Sequence, residues 1–108
     1  MPTPVYRVAG DANGDPTKAQ CAHLAEVADV TPSTTKGCED CLLEGSRWLH
    51  LRECLVCGHV GCCDDSPRKH AAAHYRASQH PLMRSFEPGE DWGWCYPDQL
   101  QLALAGRN

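Results

Sequence analysis

Cys54-Leu-Val-Cys57-Gly-His59-Val-Gly-Cys62-Cys63-Asp64-Asp65-Ser66-Pro67-Arg68-Lys69-His70-Ala-Ala-Ala-His74-Tyr-Arg-Ala-Ser-Gln-His80 places four cysteines and four histidines in one quarter of the chain. Thiols and imidazoles at this density are the donor set of zinc. The whole chain has eight cysteines and six histidines in 108 residues, with an aromatic share of 6% and a single Phe. A domain this short buries little apolar surface, so cross-linking by metal or disulfide is expected. Met1-Pro2-Thr3-Pro4 has neither the basic start nor the apolar run of an export signal. The expected location is therefore the reducing cytoplasm, where Cys-x2-Cys pairs mixed with histidines read as metal sites and not as bridges.

The formal charge is −4 and the longest basic run is Arg68-Lys69, which lacks the footprint of nucleic-acid binding. No apolar stretch approaches the roughly 18 residues of a membrane span. A monomer whose partner is a protein or peptide is expected.

Residues 1–20 are rich in Pro and Gly without hydrophobic period and read as a flexible tail, an edge strand through Val5, Tyr6 and Val8 being the alternative. The domain proper is placed at 21–106. Leu24, Val27 and Ala28 suit one or two helical turns; Trp48 to Arg52 alternates as a strand does. Asp65-Ser66-Pro67 is a helix start, with the helix running over Arg68 to Ser78. Leu82 to Phe86 and Trp92 to Tyr96 form a candidate hairpin, and Pro97 opens a predicted final helix carrying Leu100, Leu102, Ala103 and Leu104.

Cys54-x2-Cys57-x12-His70-x3-His74 has the spacing of a DNA-reading finger. The two large apolar residues such a finger needs are replaced by Gly61 and Pro67, and Asp64 and Asp65 offset the few cations of its helix. That reading would also leave Cys38, Cys41, Cys62 and His80 without a role. Structural zinc takes four ligands, so candidate ligands should come in fours. Cys63 competes with Cys62 for one direction. His50 reads as a surface residue, and His59, in the bend between Cys57 and Cys62, as a hydrogen-bonding support. Without these three, Cys21, His23, Cys38, Cys41, Cys54, Cys57, Cys62, His70, His74, His80 and Cys95 remain. Asp98, three after Cys95, completes the set for three zinc ions; its alternative is to cap the predicted final helix.

Cys21-x-His23, Cys38-x2-Cys41, Trp48, Cys54-x2-Cys57-x4-Cys62, His70-x3-His74-x5-His80-Pro81-Leu82 and Trp94-Cys95-Tyr96 together resemble the UBP-type zinc finger, a ubiquitin-binding module, including its stand-alone bacterial versions. The resemblance implies a small α+β, zinc-stabilised, cross-braced domain: a short antiparallel sheet and a central helix carrying two ligand histidines. It implies Cys38, Cys41, Cys62 and His70 on one ion, Cys54, Cys57, His74 and His80 on a second, and Cys21, His23, Cys95 and position 98 on a third. Asp98 stands where members with three zincs often have Cys, so the third ion rests on the weakest match.

The family takes an extended C-terminal Gly-Gly tail between its zinc-held loops, with Trp48 matching an aromatic wall, Tyr96 a hydroxyl donor, and Trp94 beside it. The arginine that pairs with the tail's carboxylate has no counterpart, and Asp64 occupies its place, which counts against a ubiquitin-like end; Arg68 or Arg52 would have to compensate. The alternative is a structural or interaction domain with an unused pocket, presenting Trp48 and Trp92 to a partner. Redox sensing ranks lower, because zinc withdraws thiolates from exchange. Catalysis is not expected, since closed sets leave no open metal position and no catalytic signature accompanies them.

Overall fold

The computed structural model describes residues 3–10 and 19–107. Among them, β1 (Pro4–Val8), β2 (Leu51–Cys54), β3 (Val60–Cys62), β4 (Leu82–Ser85), β5 (Trp92–Cys95) and β6 (Leu100–Arg107) form one antiparallel sheet in the order β1-β6-β5-β4-β2-β3. Helix α1 (Glu39–Glu44), helix α2 (His70–Ser78) and a 3-10 turn over Ala22–Glu26 flank it. No helix among the described residues is long and apolar enough to cross a membrane.

Side chains paired across an antiparallel ladder share a face. Gly61, Arg52, Cys54, Met83, Trp94 and Trp92 thus look to one side, and Leu82, Cys95 and Leu102 to the other. On the second side Leu82, Cys95 and Leu102 pack with Tyr6, Cys21 and Leu55, with Leu24 and Val27 closing over them. On the first side α2 lies against β3 and β2. It approaches so closely that a Cβ on Gly61 would stand 2.7 Å from the Ala71 nitrogen, so only glycine allows this packing. Helix α2 covers one half of this face, and over the other half Met83, Trp92 and Trp94 stay half-buried.

The aliphatic core is thin. The aliphatic side chains below 2% exposure among the described residues are Leu55, Leu82, Leu102 and Val60; the remaining fully buried positions hold cysteines and serines. Burying those four is worth on the order of 10 kcal/mol. A single structural zinc ion contributes about as much, so even one would match the apolar core.

Four sequence expectations are corrected. Residues 4–8, placed in the flexible tail, form β1, because β6 would otherwise leave an open edge; Tyr6 joins the core. Residues 1–2 and 11–18 of that tail lie outside the described residues. The predicted final helix is instead β6. Leu100, Leu102 and Leu104 alternate with Gln101 and Ala103, and this period of two lets Leu102 reach the core while β6 pairs with both β1 and β5. Helix α2 begins at His70 and not at Arg68. Buried Ser66 accepts from the Leu49 backbone N–H at 2.9 Å instead of capping, and Lys69 turns left-handed (φ 49°) to bring His70 back to Cys62. The strand expected from Trp48 begins only at Leu51, since the Trp48 ring lies over Gly37, where a Cβ would stand 2.3 Å from it.

Candidate metal centres and the adjacent cleft

The Cys38-Glu-Asp-Cys41 knuckle opens α1. Cys38 sits at the N-cap, its Sγ accepting the Cys41 N–H at 3.4 Å, so the helix start itself aims both sulfurs inward. Cys62 ends β3 and His70 opens α2, whose first N–H donates to Cys62 Sγ at 3.2 Å. The His70 Nδ1 stands 3.3 Å from Cys38 Sγ, 3.3 Å from Cys41 Sγ and 3.5 Å from Cys62 Sγ; the Cys41 and Cys62 sulfurs are 3.9 Å apart. The opposite nitrogen, Nε2, lies 3.3 Å from a Glu44 carboxylate oxygen, a partner that orients the ring and fixes which nitrogen faces the sulfurs.

One helical turn on, His74 turns to a different group. Its Nε2 is 3.4 Å from Cys57 Sγ, while His80, beyond the end of α2, brings Nδ1 to 3.6 Å from Cys54 Sγ. The two histidines of α2 thus divide between two quartets. His59 belongs to neither: it stacks on His74 at 4.2 Å between ring centroids, and its Nε2 lies 2.8 Å from Asp40 Oδ2. Because Asp40 stands inside the first knuckle, His59 ties the two quartets together. Burial, then the charges of His59 and His80, depress His74 to about 4, so its imidazole is neutral and free to coordinate at physiological pH.

The third group joins the 3-10 turn to the turn between β5 and β6. His23 Nδ1 lies 3.8 Å from Cys21 Sγ, 3.5 Å from Cys95 Sγ and 3.0 Å from Asp98 Oδ2. With no helix at Pro97, Asp98 has none to cap, and its carboxylate faces this group instead. His23 and Asp98 are about a third exposed, unlike the buried first quartet.

In each quartet the four ligand atoms fall within 4.8 Å of one another. Ligands at about 2.0–2.3 Å around a tetrahedral ion stand roughly 3.4–3.8 Å apart. The spacings above that involve sulfur, 3.3–3.9 Å, match that geometry, His23 to Asp98 at 3.0 Å is closer, and the donor sets are those of zinc. Burial, foremost, pushes the thiols of Cys38 and Cys95 up to about 12 and that of Cys54 to about 11. Such thiols lose their protons at physiological pH only where a cation displaces them, so metal uptake releases protons to solvent. Cys63, buried with Sγ 3.5 Å from Ser66 Oγ, lies outside all three quartets.

On the uncovered half of the sheet, a cleft of about 240 Å³ is lined by Trp92, Trp94 and Tyr96, by Met83 and Ala71, and by Arg52, Cys63, Asp64 and Asp65. The residues expected to bind peptide are separated. Trp94 and Tyr96 line the cleft, and Tyr96 stacks on Tyr75 of α2 at 4.6 Å. Trp48 packs on the Cys38, Cys41 and Cys62 cluster, and Arg68 Nε pairs with Glu44 at 3.3 Å. The cation on the cleft wall is Arg52, its guanidinium 4.6 Å from the Trp92 ring centroid. Glu44 escaped sequence reasoning; its place at the end of α1, a turn beyond Cys41, becomes meaningful only once that helix is known.

Residues 38–103 match the family described as Zn-finger in ubiquitin-hydrolases and other protein. The chain is 30% identical over 121 residues to ubiquitin carboxyl-terminal hydrolase 16 of Rattus norvegicus, covering 90% of this chain and 14% of that protein. It is 37% identical over 67 residues to the Mus musculus protein of the same name, covering 58% and 7%. The chain therefore spans a small fraction of those relatives. The solution NMR structure of protein RPA1320 from Rhodopseudomonas palustris superposes with a TM-score of 0.73 at 52% identity, covering 82% of this chain and 86% of that one. The matched family segment runs from the first knuckle through Cys95 and Asp98 into β6, and it encloses both α2 histidines and their partners. A zinc-binding domain built this way belongs to the UBP-type zinc fingers of ubiquitin hydrolases and other proteins.

Proposed function

We propose that this chain is a cytoplasmic protein-interaction module, held by three zinc ions, that receives an extended peptide in the cleft beside β5. The observation that carries this reading is the half-covered sheet face: α2 stops short of β5, leaving Trp92, Trp94 and Tyr96 along a groove of about 240 Å³. Aromatic walls with few polar groups are the usual lining of peptide sites. A binding role is favoured over a catalytic one because each quartet supplies four donors, enough to close a tetrahedral ion. The family name and the ubiquitin hydrolase relatives point to a C-terminal tail as ligand, with Arg52 as the group to meet its carboxylate.

Two measurements test the proposal. Native mass spectrometry is expected to find three zinc ions per chain; two ions on a well-ordered fold would show that Cys21, His23, Cys95 and Asp98 hold none. Titrating Gly-Gly-ending peptides, free and C-terminally amidated, while following tryptophan emission should give saturable binding that amidation weakens at least severalfold. Equal binding of both forms would refute recognition of the carboxylate, and no binding would refute the peptide site.

A further inference from the structure

The charge on the cleft wall narrows what can enter it. Asp64 and Asp65 are exposed beside the aromatic residues, and neither is in an ion pair among the described residues. Four other acids do have a cationic or imidazole neighbour: Glu44 has Arg68, Glu53 has Arg84, Asp40 has His59 and Asp98 has His23. Against the two unmatched carboxylates the cleft sets one cation, Arg52. An apolar ligand filling the groove would strip water from the carboxylates without compensation, and an acidic one would meet repulsion. A basic group removes both penalties. The aromatic lining suits it too, since indole and phenol faces attract cations, and Arg52 over Trp92 shows a guanidinium held this way in the same groove.

We infer that the cleft takes a basic side chain of the bound peptide, arginine ahead of lysine, between its aromatic wall and the carboxylates of Asp64 and Asp65. Arginine is preferred because its planar, weakly hydrated guanidinium stacks on rings while donating in its plane to carboxylates, which a compact ammonium does not do. The inference rests on the peptide reading of this cleft and adds the side-chain chemistry.

The test uses the zinc-loaded protein and one peptide, Gly-Gly-Xaa-Gly-Gly, with arginine, lysine, citrulline or norleucine at Xaa. Citrulline keeps the shape and planarity of arginine and lacks only the charge. The arginine peptide is expected to bind about tenfold more tightly than the citrulline peptide, with lysine between them. In the Asp64→Asn, Asp65→Asn double variant, with its zinc content checked by native mass spectrometry, the arginine and citrulline peptides should bind alike. Equal affinity of the two for the unmodified protein overturns the inference and leaves the peptide site standing. Failure of all four peptides to bind overturns both. The comparison on the unmodified protein decides the matter even if the double variant fails to fold.

Discussion

Excess chelator is expected to unfold the domain cooperatively, with loss of far-ultraviolet circular dichroism and exposure of the tryptophans in one transition. The magnitude follows from what holds the chain. Four buried aliphatic side chains contribute on the order of 10 kcal/mol. Structural zinc supplies about 10–16 kcal/mol of apparent free energy per ion. Every quartet joins segments distant in sequence: α1 to β3 and α2, β2 to the end of α2, and the 3-10 turn to the β5–β6 turn. Removing the ions leaves inward-facing thiols with nothing to hold them together. A chain that kept its circular dichroism in excess chelator would show that the sheet is self-sufficient and the ions ornamental.

Two neighbouring cysteines give the second large effect. Cys62→Ser should lose at least one zinc ion by native mass spectrometry and lower the thermal midpoint steeply, because Cys62 is fully buried and faces Cys41 and His70. Cys63→Ser should keep the zinc count, because its sulfur points to Ser66 and the cleft. The contrast is sharp because consecutive residues on a strand point to opposite sides. Loss of zinc from the Cys63 variant, or its retention by the Cys62 variant, would exchange their roles.

The donors that the structure gathers into three groups are legible in the sequence because zinc chemistry restricts donors to a few residue types and knuckles impose short spacings. The pairing was not legible from spacing. His70 and His74, one turn apart, read locally as joint ligands, and only the position of α2 across β3 and β2 divides them between two quartets. The final strand was misread because Pro97 and a run of Leu and Ala imitate a helix start, whereas pairing with β5 and β1 decides the outcome. Arg68, one of the two arginines expected to compensate for the missing one, lies beside Glu44, next to the left-handed turn at Lys69. Arg52 reaches the cleft because strand alternation puts it on the same face as Trp92 and Trp94.

The three quartets also differ in how much chain each must loop to close. From first to last ligand the second quartet, Cys54 to His80, spans 26 residues and the first, Cys38 to His70, spans 32, whereas His23 and Asp98 are separated by 75. Loop-closure entropy grows with the logarithm of that distance, which makes the long closure costlier than the shortest by about 1 kcal/mol. In a folding chain the second quartet is therefore the natural nucleus, and the pairing of His23 with Asp98 is a late step that draws distant parts of the domain together.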